Sequence, residues 1–120
     1  MKIAVIGSRG LSVGNLEKYM PEGVTEIVSG GARGVDTSAR EYAHRCGLKL
    51  TEFLPDYERY GRSAPLVRNR TIVEYADEVY AFWDRSSRGT KFVIDYARKI
   101  GKKVRVFALA ESKSLENGID

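Results

Sequence analysis

Cysteine and histidine are nearly missing from this chain. Among 120 residues Cys46 is the only cysteine, which excludes an internal disulfide and any cysteine-built metal cluster. His44 is the only histidine, so no Ser-His-Asp set, Cys-His pair or His-rich ligand group can be assembled, and no metal site is expected. His44 stands beside Arg45 in mid-helix pattern, away from the glycine-rich loops, and reads as a surface or boundary residue. No apolar run is long enough to span a membrane, and the opening residues read as a strand rather than a signal peptide. A reducing cytoplasm is the expected compartment, with no membrane partner. Internal repeats and linkers are absent as well, and the length is that of one domain.

What remains is an ordinary globular composition. Hydrophobic residues make up 42% and charged residues 30%, enough apolar content to exclude a disordered chain. Lys and Arg exceed Asp and Glu by 20 to 16, a formal charge of +4 that suits an anionic ligand without demanding one.

The order of elements is the stronger signal. Lys2–Ile6 is a short β-branched run cut off by Gly7, the pattern of a buried parallel strand. Further strands are predicted over Thr25–Val28, Leu48–Leu54, Glu78–Phe82 and Val104–Phe107. Between them, Leu11–Met20 has weak helical character. Val35, Ala39, Tyr42, Ala43 and Cys46 recur at helical spacing before Gly47. A third helix begins near Pro65, with Val67, Ile72, Val73 and Ala76 on its inner face, and a fourth runs from about Lys91 to Ile100. Pro55–Ala64 reads as a loop, and residues 110–120 as a polar, frayed tail to a single domain over 1–109.

Strands alternating with helices through short connections imply a Rossmann-like three-layer α/β/α fold. Its parallel sheet would have about five strands in the order 3-2-1-4-5. Ligands bind such sheets outside the carboxyl ends of the strands, where the order reverses, here between strands one and four. Three loops fall there. Gly7-Ser8-Arg9-Gly10 combines glycines that let backbone approach an anion with a hydroxyl donor and an arginine. The same glycines also suit a simple tight turn. Ser29-Gly30-Gly31-Ala32-Arg33-Gly34-Val35-Asp36 joins a strand to a helix, so free N–H groups and the helix dipole converge there. It matches neither the dinucleotide fingerprint nor a P-loop. Arg33 is hard to explain by packing, whereas Asp36 suits the first helical turn, with a ribose contact as the other reading. Ser86-Ser87-Arg88-Gly89-Thr90 forms a second such mouth, able to cap its helix or to hold a phosphate or ribose.

Tyr57, Tyr60 and Trp83 offer faces for stacking a base, or for packing a loop onto the sheet. Arg68-Asn69-Arg70 opens the third helix, and Arg9, Arg33, Arg62, Arg68, Arg70, Arg85 and Arg88 all fall in or near the ligand-side segments. Asp84, at the end of strand four, is the one acid/base candidate, and it suits capping of the adjacent turn equally.

From Lys2 to Phe107 these motifs, in this order, resemble the SLOG superfamily of Rossmann-like proteins, above all its small stand-alone YspA/YpsA-related branch. The residues that carry the resemblance are Gly7-Ser8-Arg9, Gly30 to Asp36, Tyr60-Gly61-Arg62, Arg68-Asn69, Trp83-Asp84 and Ser87-Arg88-Gly89-Thr90. The resemblance implies a nucleotide or nucleotide-derived ligand, of ADP-ribose, NAD or nucleoside monophosphate type, bound by a sensor or processing module. No further cofactor is required. Its phosphates would lie at Ser8, Arg9, Gly31, Arg33 and Gly34, and its ribose or distal phosphate near Asp84, Gly89 and Thr90. Analogy also implies a homo-oligomer. The region from Val28 to Asp36 and Arg68-Asn69-Arg70 is similar to the DNA-processing DprA/Smf proteins, which bind single-stranded DNA. Gly89-Thr90 is similar to the LOG phosphoribohydrolases, whose pattern is Gly-Gly-x-Gly-Thr-x-x-Glu. Here Ser86-Ser87 replace the first glycines and Val93 stands at the Glu position, so LOG-type hydrolysis would need Asp84 or Asp95 as a substitute. Three functions follow as alternatives: a nucleotide-binding module, a nucleotide hydrolase using Asp84, and a single-stranded DNA-binding protein.

Overall fold

A computed structural model of the protein describes residues 1–109; the predicted tail lies outside the described residues. Five strands form one all-parallel sheet: β1 (Lys2–Gly7), β2 (Glu26–Ser29), β3 (Lys49–Glu52), β4 (Glu78–Trp83) and β5 (Lys103–Ala108). Their order is β3-β2-β1-β4-β5, the arrangement of a Rossmann-like fold. β1 pairs with β4 from Ile3 opposite Glu78 to Gly7 opposite Phe82, which brings the two carboxyl ends side by side.

Strand alternation decides which residues meet which helices. Ile3, Val5 and Ile27 point to one face, where α1 (Val35–Arg45) covers them with Val35, Ala39 and Ala43. Ala4, Ile6 and Val28 point to the other, packed beneath α3 (Ala64–Tyr75) and α4 (Arg88–Lys99) through Ile72, Val73, Val93 and Ile94. Both faces of β1 are fully covered, which is why its sequence is continuously apolar.

Four local departures have physical reasons. Leu11–Met20 is not a helix; it holds only a single 3-10 turn, Leu16–Lys18. Leu11 and Val13 are buried at a spacing of extended chain, and the Val13 amide donates to Ser38 Oγ at 2.9 Å, which fastens the segment to α1. The Pro55–Ala64 loop contains a short helix, α2 (Tyr57–Tyr60), started by Asp56, whose carboxylate accepts from the Arg59 amide at 3.1 Å. α4 begins at Arg88, a turn earlier than the apolar pattern suggests, because Ser87 caps it. Cys46 follows the end of α1 and is exposed rather than on its inner face. Among the described residues no helix is long and apolar enough to cross a membrane.

Candidate ligand site at the carboxyl edge of the sheet

From β1 the chain turns toward β2 on one side, and from β4 toward β5 on the other, so the loops leaving β1 and β4 part from each other. A cavity of about 400 Å³ opens at this divide. Its size falls within the range of small-molecule sites, roughly 300–1,000 Å³. Ile6, Pro65, Ile72 and Val93 give it an apolar wall, and polar groups from three loops and from α3 complete it.

The α4 mouth is held rigidly. Asp84 Oδ1 accepts from the amides of Ser86 and Ser87, both at 2.8 Å, closing a tight turn in which Arg85 takes a φ of 71°. These two amides, helped by the Ser8 hydroxyl, hold the Asp84 carboxyl below the usual carboxylate range against the opposing effect of burial. Ser87 Oγ accepts from the Thr90 amide at 3.3 Å and lies 3.0 Å from Thr90 Oγ1. The Trp83 indole N–H donates to the Ser87 carbonyl at 3.0 Å. Ser8, itself buried, ties this turn to β1: its Oγ accepts from the Asp84 amide at 3.2 Å. The first two helical amides, of Arg88 and Gly89, meet no protein acceptor among the described residues, and the first turn of α4 carries no acid. This helix end therefore retains its positive character.

The α1 mouth is built differently. Gly34, at a φ of 75°, lies so close to the Arg9 backbone that a β-carbon there would stand 2.4 Å from the Arg9 carbonyl oxygen. Only glycine permits this contact, which presses the β1 loop against the start of α1. Asp36 is buried in the first turn, with Oδ2 accepting from the Ala32 amide at 3.1 Å. Burial pushes its carboxyl above the usual range, partly offset by the Ala32 amide and by the guanidinium of Arg68. Arg68 is itself half-buried, and burial lowers its pKa while Asp36 opposes that effect. Its Nη1 donates to the carbonyls of Gly30 (2.8 Å) and Phe53 (3.2 Å), and its Nε to Asn69 Oδ1 at 2.8 Å. It thus joins the ends of β2 and β3 to α3. Its place is the second turn of α3, not the helix opening that the sequence pattern suggests.

Of the residues singled out from sequence, Gly7, Ser8, Arg9, Gly30, Asp36, Arg68, Asn69, Asp84, Ser87, Gly89 and Thr90 line this one cavity. Gly31, Arg33, Gly34, Arg62, Tyr57, Tyr60 and Trp83 do not. Gly31 sits under the Leu54 side chain, Arg33 and Arg62 are exposed, and Gly34 is spent on the Arg9 contact. Tyr57 and Tyr60 stand out on α2, 59% and 40% exposed, and Trp83 braces the α4 cap. Gly10 and Ala32, within the loops expected at this edge, line it too, and Ile6, Pro65, Ile72 and Val93 do so without having been singled out as site residues. Val93 had a signal, since it lies one turn beyond Thr90 on the same face of α4; here its apolar side chain forms part of the wall. Among the described residues, no group of three or more His, Cys, Asp or Glu is assembled that could hold a metal ion.

Compared with protein families, with curated proteins and with solved structures, the chain matches none.

Proposed function

We propose that this chain binds a nucleotide-type small molecule, as a sensor or processing module, with the ligand's phosphate seated at the α4 mouth. The observation that carries this reading is the convergence of an uncompensated helix N-terminus with Ser8, Thr90 and Arg9 on one cavity. Backbone amides and a helix dipole favour an anion without needing lysine, and hydroxyls and a guanidinium add direct donors. The apolar wall of Ile6, Pro65, Ile72 and Val93 suits the rest of such a ligand. The SLOG-like order of the motifs points the same way.

Gly89 provides the test. A β-carbon at this position meets nothing within 4 Å, so an aspartate can be introduced there without a clash. Gly89→Asp places a negative charge at the phosphate position and stabilises the helix end by itself. Nucleoside monophosphate affinity, measured by isothermal titration calorimetry, is expected to fall at least about tenfold while the thermal midpoint holds or rises. Unchanged affinity would mean that the phosphate lies elsewhere.

A second reading is favoured by the rim. Leu54, Tyr57 and Tyr60 are exposed, and so are Arg33, Arg59 on α2 and Arg62 just after it, a surface suited to stacking and to a phosphate backbone. If single-stranded DNA is the partner, its affinity falls steeply with salt; a flat response excludes it. The hydrolase alternative gains less support. With one oxygen committed to two amides and its pKa lowered, Asp84 is a weak base and holds no proton to donate.

A further inference from the structure

Two strand-to-helix mouths face the same cavity, yet they are not chemically equivalent. The first turn of α4 carries no acid, whereas that of α1 carries Asp36, which is 7% exposed and lines the cavity. Asp36 Oδ2 accepts from the Ala32 amide, the Gly30 amide also acts on this carboxyl from beside Oδ2, and no hydrogen bond among the described residues reaches Oδ1. An unpaired oxygen on a buried carboxylate is a strong acceptor and a strong repeller of anions. The side-chain charges around the cavity also balance, Arg9 and Arg68 against Asp36 and Asp84, and Arg68 already serves two carbonyls. Such a site has room in its electrostatics for one phosphate but not for a chain of them.

We propose that Asp36 selects the ligand: its free oxygen accepts a ribose hydroxyl and its charge turns away a second phosphate, so the site takes a ribonucleoside monophosphate. This rests on the nucleotide reading above, with the phosphate on the Arg88 and Gly89 amides. The sugar, one linkage away, then lies across the cavity from α4 toward α1. Substitution by asparagine keeps the shape and an acceptor for the Ala32 amide, while it removes the charge and replaces the free oxygen by an N–H donor.

The test is a titration series on the wild-type protein with AMP, 2′-deoxy-AMP, 3′-deoxy-AMP, IMP, ADP and ATP, repeated with Asp36→Asn. The wild type is expected to bind AMP about tenfold or more tighter than at least one deoxy analogue, the loss of a hydrogen bond to a charged acceptor. ADP and ATP are expected to bind more weakly still. Asp36→Asn should lose most of the hydroxyl preference and gain affinity for ADP. Equal binding of AMP, both deoxy analogues and ADP by the wild type overturns the role of Asp36 and leaves the phosphate site standing. Loss of affinity with IMP but not with the deoxy analogues assigns the donor to the amine of the base, and the ribose contact falls. If none of the six binds, the nucleotide reading fails and this inference with it. The wild-type series alone decides the matter should the variant fold poorly.

Discussion

At the scale of single residues, Arg68 both lines the cavity and holds its loops in place. Its Nη1 is the donor for the Gly30 and Phe53 carbonyls, so Arg68→Ala leaves both without that partner. We expect it to lower unfolding stability by about 1–3 kcal/mol, the cost of stranding buried acceptors, as read from urea denaturation. A variant of wild-type stability would show that water replaces the guanidinium freely. The motifs Gly7-Ser8-Arg9 and Ser87-Arg88-Gly89-Thr90 were legible because their chemistry is local: a strand ends, a cap follows, and the spacing is fixed. The part of Arg68 was not, because its partners lie 38 and 15 residues away along the chain. Nor could the sequence tell that Arg33 faces solvent while Asp36, three positions on, faces the cavity; that depends on Gly34 pressing against the Arg9 backbone.

At the scale of elements, the two ends of the sheet serve different purposes. The carboxyl ends carry the cavity. At the amino ends Glu26, buried at the start of β2, gathers a closed set of partners: Thr51 Oγ1 and the Tyr75 hydroxyl each donate to its Oε2 at 2.6 Å, and Lys49 lies 3.9 Å from Oε1. Burial raises the Glu26 pKa, but Thr51, Tyr75 and the two lysines, Lys49 and Lys2, outweigh it and the net shift is downward. The sign then follows. A carboxyl that titrates lower in the folded state contributes stability above its unfolded value, about pH 4, and loses it as pH falls through the lower folded value. Tyr75→Phe removes one of the donors that bind β2 to α3. It should flatten the decline of stability between about pH 5 and pH 3 relative to wild type, followed by urea midpoints across that range. Parallel declines would mean that Tyr75 contributes nothing to the shift. The elements themselves were readable wherever periodicity was strong, as in β1, α1 and β4. The segment from Leu11 to Met20 misled because burial of Leu11, Val13 and Leu16 mixes extended and helical spacing, and a bond from Val13 to Ser38 on another element settles it.

At the scale of the whole molecule, the alternation of strands and helices left few topologies open, and the observed order β3-β2-β1-β4-β5 is the one that alternation predicts. That order alone says where a ligand site is expected, since it makes the ends of β1 and β4 neighbours whose loops separate. It does not say how the long connection from β3 to α3 travels, and for that reason Tyr57 and Tyr60 could be assigned to the edge but not to the cavity itself. If this cavity recognises a phosphate attached to a nucleoside, thermal unfolding of the intact protein with AMP and, separately, with adenosine at matched concentrations will distinguish the two. A ligand at 100 times its dissociation constant stabilises the folded state by about 2.7 kcal/mol. In a domain of this size that raises the midpoint by roughly 10 °C. A saturable rise of this order with AMP and a far smaller one with adenosine is the predicted result; equal shifts with the two, or none with AMP, would contradict the account.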